Sequence, residues 1–584
     1  MTDLTRKEHN KKRKISFDFN PHILVFTLLN IMLVSILYKK TDTIISTFDG
    51  PFHIYRMMGA VGALSDGQIV PQLDPYRIKA FGNAANIFYG PMTSWLMVPI
   101  YFITRNLQWS IIILMFVISM LTSISMYKVS SKILSSANIA FIVTLIYTLE
   151  PFHLSEMIMR LNPGEYMTFA FIPLVILAFY EIVYQNKLGF RQILLLSGGM
   201  AGLILNHILT SVIVAFAFLL MTLFNLKRII KHPKILGVAL ISAIIAIGLS
   251  AVYLFPFLEA KNVGIYSIFW NKYKMSNPDI NEFSRIIPAI AFLTNFAFPI
   301  RVSWVVWAGV FGFILMKDTI KDSNRKYYAY SLIAASLITV FLGMNFKFLD
   351  GLVPYIKTLQ FTDRLLMIPA VFLPLVCGLV FLYTSNTKEK YILVVMLLLP
   401  IYGIITSMLA QPRIDSEPFK TVEDFNYDDI NFSIAQGEYF PKMISNRGDI
   451  SVQEGVNSTQ ENLVARGDKP KTVSGHASIS DYQKTGSHIT GNVQSGATKS
   501  AIEFPLVYYP GYVAEINGQK VKTTYSKKGF LEVEIPANTK GQLRTKYGMT
   551  NATKLGLTVT IITSVSLIVL SVKDKRKEGR YVKD

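Results

Sequence analysis

Cysteine is nearly absent from this chain: Cys377 is the only one among 584 residues. One cysteine excludes an intramolecular disulfide and any cysteine-cluster metal site, and its place in an apolar run reads as a small lipid- or core-facing residue. Charge is scarce as well. Asp, Glu, Lys and Arg make up 16% of residues against 51% hydrophobic, with mean hydropathy +0.38, which excludes an ordinary soluble globular chain. Acids are the scarcer sign, 38 against 58 Lys and Arg, for a net charge of +20. A nucleic-acid partner does not follow, because much of the positive charge sits in short loops and at both termini, as in the cytoplasmic loops of membrane proteins. Also missing are a Walker-type phosphate loop, a His/Glu pair at metalloprotease spacing and Gly-x-Ser-x-Gly. Those chemistries lose their support. No internal repeat stands out, which weakens a transporter built from paired repeats.

Apolar runs of about 15 to 22 residues recur throughout, each close to the length that crosses a bilayer as a helix. They lack the alternating period of a transmembrane barrel, so the backbone must satisfy its hydrogen bonds within helices. The first run, Pro21 to Tyr38, follows the basic head "RKEHNKKRK" and lacks a small-residue cleavage site. It reads as a retained signal anchor. Lys/Arg-bearing segments at 6–14, 127–132, 185–191, 225–234, 317–326, 386–390 and 573–580 place themselves and both termini in the cytoplasm. The expected spans are 21–38, 109–127, 137–151, 166–184, 191–206, 208–225, 235–257, 303–316, 327–343, 364–384, 391–410 and 553–572. Residues 88–104 and 286–299 are either re-entrant or spanning, giving about 12 to 14 transmembrane helices.

This topology puts four segments outside: a long first loop (39–87), residues 150–166, residues 343–364 and a hydrophilic block at 411–551 that precedes the last helix. The block reads as a domain of its own. Alternation in "HASISDYQ" and "FLEVEI", and Asn517-Gly518 in a hairpin signal, suggest a β-sandwich-like unit. The domain order is thus a cytoplasmic basic N-terminus (1–20), a transmembrane domain (21–410), the β-rich domain (411–551), a final transmembrane helix (552–572) and a cytoplasmic tail (573–584).

The outer segments carry the polar residues that need explaining. "TFDGPFHIYRMM" (47–58) follows the first span. Asp49-Gly-Pro reads as a helix start with Asp49 as N-cap, and the helix places Asp49, Phe52, His53 and Arg56 on one stripe. The segment 150–166 adds Glu150, His153, Glu156, Arg160 and Glu165. Residues 343–364 add Lys347, Asp350, Lys357, Gln360, Asp363 and Arg364, and Asn206-His207 sits at an outer turn. Singly, each reads as a cap, an interfacial anchor or a solvated charge. Together on one face they mark a candidate functional site. "GGMAG" (198–202) reads as close helix packing through small residues.

The order of these motifs, with "FYGP" (88–91), "NHILT" (206–210), "LQFTDRLL" (359–366), "GEYFP" (437–441) and "FPLVYYPGYVAEINGQ" (504–519), resembles the bacterial YfhO-type and 6-pyruvoyl-tetrahydropterin synthase-related polytopic membrane proteins. These belong to the GT-C glycosyltransferase superfamily. The resemblance covers most of the chain. It implies a GT-C-like α-helical membrane enzyme that transfers sugar from a polyprenyl-phosphate-linked donor to a cell-envelope glycan or glycolipid, such as teichoic or lipoteichoic acid, at the outer face. It implies a catalytic role for Asp49, the acid of the first outer loop, and a substrate-binding role for Gln360 and Arg364 of the Gln-Phe-x-x-Arg pattern. The chemistry of the other outer residues fits the same reaction, with catalytic His53 as orienter or second donor and Arg56, Arg160, Lys357 and Arg364 as phosphate holders. Glu165 and His207 are further substrate-binding candidates. Family members with paired acids in the first loop suggest a divalent cation, Mg²⁺ or Mn²⁺. Here Asp49 stands beside Gly50, and no metal ligands are assigned. A flippase for lipid-linked saccharides and a non-catalytic envelope-assembly scaffold are the alternative readings. The flippase needs polar groups near the bilayer midplane, whereas runs such as "IIILMFVISMLTSIS" offer mainly apolar side chains and small hydroxyls.

Overall fold

The computed structural model describes residues 20–38, 49–269, 302–343, 362–384, 437–445 and 452–581. The helices used below are α1 (Pro21–Ser35), α2 (Gly50–Ser65), α3 (Met92–Thr104), α4 (Leu107–Leu134), α5 (Ala137–Thr148), α6 (Pro163–Phe179), α7 (Phe190–Asn206), α8 (Ile208–Phe224), α9 (Lys234–Val263), α10 (Trp304–Met316), α11 (Ser323–Gly343), α12 (Met367–Tyr383), α13 (Val452–Arg466) and α14 (Asn551–Tyr581). Among the described residues, six helices are long and apolar enough to cross a membrane. Adding the bent pair of α5 with Pro151–Ile158 makes seven, and five shorter apolar helices accompany them. The protein is therefore a multi-pass helical membrane protein. The expected spans at 286–299 and 391–410 lie outside the described residues. The 88–104 stretch contains α3, which has 13 residues and an internal Pro99, about 20 Å of helix and shorter than the hydrocarbon core.

Small residues set the helix spacing. A Cβ on Gly202 of α7 would overlap the Phe171 ring of α6, and one on Gly199 would lie 2.6 Å from Val175 Cγ2. Cys377 of α12 is buried and faces Gly309 of α10, where a Cβ would overlap its Sγ. The last helix is held by the same device. Gly556 of α14 meets the Ala251 carbonyl of α9, and Thr560 Oγ1 accepts from Val252 N at 3.0 Å and donates to the Gly248 carbonyl at 3.1 Å.

The β-rich domain is two antiparallel sheets. Strands β1 (Lys471–Ser474), β4 (Ser500–Val507), β7 (Thr523–Tyr525) and β8 (Phe530–Ile535) form one, in the order β1-β4-β8-β7. Strands β2 (Ala477–Thr485), β3 (His488–Ser495), β5 (Tyr512–Ile516), β6 (Gln519–Val521) and β9 (Lys540–Tyr547) form the other, in the order β2-β3-β9-β5-β6. The Asn517-Gly518 hairpin forms between β5 and β6, with Ile516 opposite Gln519. Both turn residues have positive φ, 51° and 82°, as a type I′ turn requires.

This domain does not stand apart from the segment that follows α2. Leu73, Phe81, Ile87 and Phe88 of that segment share one buried cluster with Phe440, Leu506, Tyr509 and Leu531. Lys484 Nζ donates to the carbonyls of Ala80 (2.9 Å) and Pro505 (3.1 Å). It thereby secures a turn in which Ile78, Lys79 and Ala80 all have φ between 53° and 58°, a conformation costly for non-glycine residues. Ser487 Oγ donates to Asp66 Oδ2 at 2.5 Å. The sheets are thus seated on the loop that carries the candidate site.

Gly202→Val forces a branched side chain into Phe171 and is expected to cost about 1–3 kcal/mol through overpacking. Gly198→Val, where a Cβ would meet nothing within 4 Å, is expected to be near neutral. Thermal unfolding of the two variants in detergent checks the difference.

Candidate functional site

The centre of the site is Arg160, in the short connection between the bent α5 segment and α6. Sequence reasoning treats residues 150–166 as an outer loop, but the chain from Pro151 to Met159 is helical, first a turn of α-helix and then a π-turn over Ser155–Met159. Glu150, His153 and Glu156 are buried within it. The π-turn closes on Arg160, whose N–H bonds the Ser155 carbonyl at 2.9 Å. Asn162-Pro163-Gly164-Glu165 then starts α6: Asn162 Oδ1 accepts from Glu165 N at 3.0 Å, with Pro163 in the first turn. This is the economy expected of an Asn N-cap followed by Pro and an acid at the third helical position.

Three carboxylates converge on the guanidinium. Asp49 Oδ2 accepts from Arg160 Nε at 2.9 Å and lies 2.7 Å from Nη2. Glu156 Oε1 is 2.7 Å from Nη1, and Glu165 Oε2 is 3.5 Å from it. The main chain joins in, since Asp49 N donates to the Arg160 carbonyl at 3.2 Å. The Glu156 and Glu165 side chains are fully buried, whereas that of Asp49 is 37% exposed. Asp49 does stand at the N-cap position of α2, but its side chain makes no capping hydrogen bond. It is spent on Arg160 instead. The three nearby acids hold the Arg160 guanidinium charged, raising its pKa against the opposing effect of burial.

Tyr89 organises the rest. Its hydroxyl donates to Asn162 Oδ1 at 3.0 Å. Its ring lies under the Arg56 guanidinium (4.3 Å) and contacts those of His53 (5.3 Å) and His207 (5.2 Å). Two glycines allow this approach: a Cβ on Gly164 would lie 2.7 Å from Tyr89 Cε1, and one on Gly90 would overlap the Asn206 carbonyl. The stripe read from the sequence is real, and its partner is this tyrosine. Arg56 donates to Gly90 O (2.8 Å), Asn86 Oδ1 (3.2 Å) and Thr93 Oγ1 (3.3 Å), all neutral acceptors. Phe52 stacks on Tyr439 of the "GEYFP" segment at 5.5 Å, so residues 437–441 roof the site. Beside it is a small cleft lined by Phe52, Tyr55, Arg56, Asp74, Arg77 and Asn86.

Burial and then the cations Arg56 and Arg160 push the His53 pKa well below the usual imidazole range. Burial lowers that of His207 to about 3, despite the opposing pull of Glu165. Both rings are therefore neutral at pH 7. His53 Nδ1, Glu156 Oε2 and Glu165 Oε1 are buried without a hydrogen-bond partner among the described residues.

Of the residues assigned from sequence, the structure brings together Asp49, His53, Arg56, Arg160, Glu165 and His207. Arg364 is buried and within electrostatic reach of Glu165. Lys357 and Gln360 lie outside the described residues. Sequence reasoning gave no role to Tyr89, Asn162 or Glu156. The signal for Glu156 was present, four residues before Arg160 on a helical stretch. Among the described residues no group of three His, Cys, Asp or Glu side chains is placed to hold a metal ion. The guanidinium of Arg160 occupies the position among the carboxylates that a cation would take.

Arg160→Gln leaves two fully buried carboxylates without their cation, and a loss of about 3–5 kcal/mol is expected; a lower unfolding temperature in detergent is the readout. The histidines add a pH dependence. Their folded pKa values are lowered, so folded and unfolded chains are equally unprotonated above about pH 6.5, and stability falls as pH drops below it. Each site costs about 1.4 kcal/mol per pH unit there, and His53→Gln is expected to remove one such contribution from unfolding curves between pH 6 and 5.

Comparison with known proteins finds a family model over part of the chain, one full-length relative and several remote structural similarities. Residues 89–250 match the family model described as dolichyl-phosphate-mannose-protein mannosyltransferase, a segment that holds Tyr89, Arg160, Glu165 and His207. An uncharacterized protein of Lactococcus lactis subsp. cremoris (strain MG1363) is 28% identical, covering 92% of each chain. Among solved structures, similarity extends to ArnT from Cupriavidus metallidurans bound to undecaprenyl phosphate. That match has 12% identity, 75% of this chain, 74% of that one and a TM-score of 0.39. The apo oligosaccharyltransferase of Archaeoglobus fulgidus follows, at 14% identity, 66% and 55% coverage and a TM-score of 0.36. Arabinosyltransferase EmbB from Mycobacterium smegmatis gives 10% identity, 92% and 64% coverage and a TM-score of 0.34. Over residues 89–250, the chain is thus similar to the dolichyl-phosphate-mannose-protein mannosyltransferase family.

Proposed function

We propose that this protein is a GT-C-type membrane glycosyltransferase that moves a sugar from a polyprenyl-phosphate-linked donor to a cell-envelope acceptor at the outer face of the membrane. The observation that carries the reading is the placement of Asp49. Its carboxylate is partly exposed, fixed through one oxygen by Arg160, and set at the edge of a buried polar cluster. The mannosyltransferase family match supports the reaction class, and the motif order supports the narrower YfhO-type resemblance.

Asp49 is the catalytic base in this reading. It takes the proton of an acceptor hydroxyl as that oxygen attacks the anomeric carbon. The bond from the anomeric carbon to phosphate breaks, the polyprenyl phosphate departs with its electron pair, and the anomeric centre inverts. Arg160 acts as a positioning residue: with three carboxylates already on it, it holds Asp49 ionised and oriented rather than binding phosphate. Arg56, whose described acceptors are all neutral, and Arg364 are the cations assigned to the donor phosphate. His53, neutral at pH 7, contributes a hydrogen bond. Glu165 and His207 contact the sugar, with the buried Glu165 Oε1 accepting from a hydroxyl. Gln360 from the Gln-Phe-x-x-Arg pattern and Lys357 as a further phosphate-holding cation complete the assignment from the sequence. A wall or membrane glycopolymer of the teichoic or lipoteichoic class is the acceptor assigned, with both termini cytoplasmic and the β-rich domain outside.

Mass analysis of envelope polymers from cells lacking the gene, complemented with wild type or Asp49→Asn, tests the reading. Wild type is expected to restore a glycan substituent, and Asp49→Asn to fail while folding normally, with a rate loss of about 10²–10⁴ for a missing general base. Full rescue by Asp49→Asn favours transport or scaffolding.

A further inference from the structure

The two sheets of the β-rich domain differ in what covers them. On the four-stranded sheet, β4 is buried along its whole length, and Arg466 at the end of α13 pairs with Glu503 at 2.6 Å. On the five-stranded sheet, β2, β3 and β9 carry exposed side chains at alternate positions along one face. Strand registers bring Ser480, Asn492 and Gln542 into one cross-strand row, Ser478, Gln494 and Lys540 into the next, and Thr490, Arg544 and Glu515 into a third.

The face is polar, and its charge is lopsided. Lys540, Arg544 and Lys546 are exposed at alternate positions of β9, with Lys520 of β6 on the far side of β5. None of the four makes an ion pair among the described residues. The acids on this face are Glu515 and Asp481, and Asp481 is engaged by Asn492 Nδ2 at 2.8 Å. Arg544 is held in the sheet plane by Gln542 Oε1, at 2.9 and 3.2 Å. Successive outward residues of a strand are about 7 Å apart, so β9 carries a ladder of cations about 20 Å long.

The ladder has a direction. Its Lys546 end adjoins Tyr547, whose N–H donates to Ser487 Oγ at 3.2 Å, and Ser487 is seated on Asp66 at the end of α2. Its Lys540 end, opposite Gln494, is the end away from that contact. The cations therefore lead along the sheet toward Asp66, at the opposite end of α2 from Asp49 and about 24 Å of helix away from it.

We infer that this face is a docking surface for a linear polyanion, which in the transferase reading is an anionic acceptor chain. The inference deepens the transferase reading and rests on it for the word acceptor, though the binding itself does not. Charge complementarity selects the partner: regularly spaced cations on a flat face lined by amides and hydroxyls suit a flexible chain with repeating anionic groups. The aromatic platforms that stack on neutral sugars are missing from the rows named above.

The test uses the full-length protein in nanodiscs of neutral lipid, with long-chain inorganic polyphosphate, polygalacturonate and dextran as probes. Both polyanions are expected to bind, dextran is not, and the tighter of the two identifies phosphate or carboxylate as the preferred group. Lys540→Gln/Arg544→Gln/Lys546→Gln is expected to weaken polyanion binding about tenfold or more. It should also shallow the slope of log affinity against log salt by about 2, at roughly 0.7 per lost contact. These side chains are exposed, so an unchanged melting temperature accompanies the loss. Equal affinity and slope in the triple variant, or dextran binding as tightly as the polyanions, overturns the inference. Asp49→Asn is expected to bind the polyanions like wild type, so loss of catalysis and loss of docking are separately visible.

Discussion

One guanidinium holds this site together. Arg160 receives carboxylates from the start of α2, from the π-turn after the bent α5 segment and from the first turn of α6. Two of those acids are fully buried, and buried anions are tolerated only when paired and hydrogen-bonded. The pairing therefore fixes more than one side chain. It ties the long first loop to the helix bundle at the point where a partly exposed Asp49 is presented. Were Arg160 to face solvent, the sharp turn at 155–165 and the close entry of Tyr89 would lose their common centre.

Around that centre the structure is layered by polarity. Neutral histidines, a tyrosine ring and cation–π contact surround the ionic core, and aromatic stacking from Tyr439 covers it. The β-rich domain supplies that cover while sharing a hydrophobic core with residues 73–88. A β-rich domain that is merely tethered would leave the first loop free. Here it determines the loop's shape, down to a left-handed turn secured by Lys484. Burial lowers the pKa of that lysine to about 8. The ammonium stays largely charged at neutral pH and holds two backbone carbonyls.

Much of this was legible in the sequence, for reasons that can be assigned. Span lengths, the Asn517-Gly518 hairpin and the glycines of "GGMAG" follow from local rules about hydrocarbon thickness, φ angles and helix spacing. The stripe of Asp49, His53 and Arg56 follows from helical periodicity. What periodicity could not show is what the stripe meets. Tyr89 is reached only because Gly90 and Gly164 remove Cβ atoms in elements far apart in sequence. The capping role read for Asp49 was locally sensible, yet a charge-assisted contact to Arg160 outcompeted it. Residues 150–166 look like a polar loop by composition, yet 151–159 are helical, with Glu150 accepting from Ser303 N and Glu156 from Arg160 inside the bundle.

The central claim is that Asp49, held by Arg160, is the base for direct displacement at an anomeric carbon. Purified protein in nanodiscs, given a polyprenyl-phosphate sugar of defined anomeric configuration and an envelope-polymer acceptor, tests it through the NMR-determined anomeric configuration of the glycoside formed. The account predicts inverted product from wild type, with no product above background from Asp49→Asn. Retained configuration, or inverted product at wild-type rate from Asp49→Asn, would contradict it.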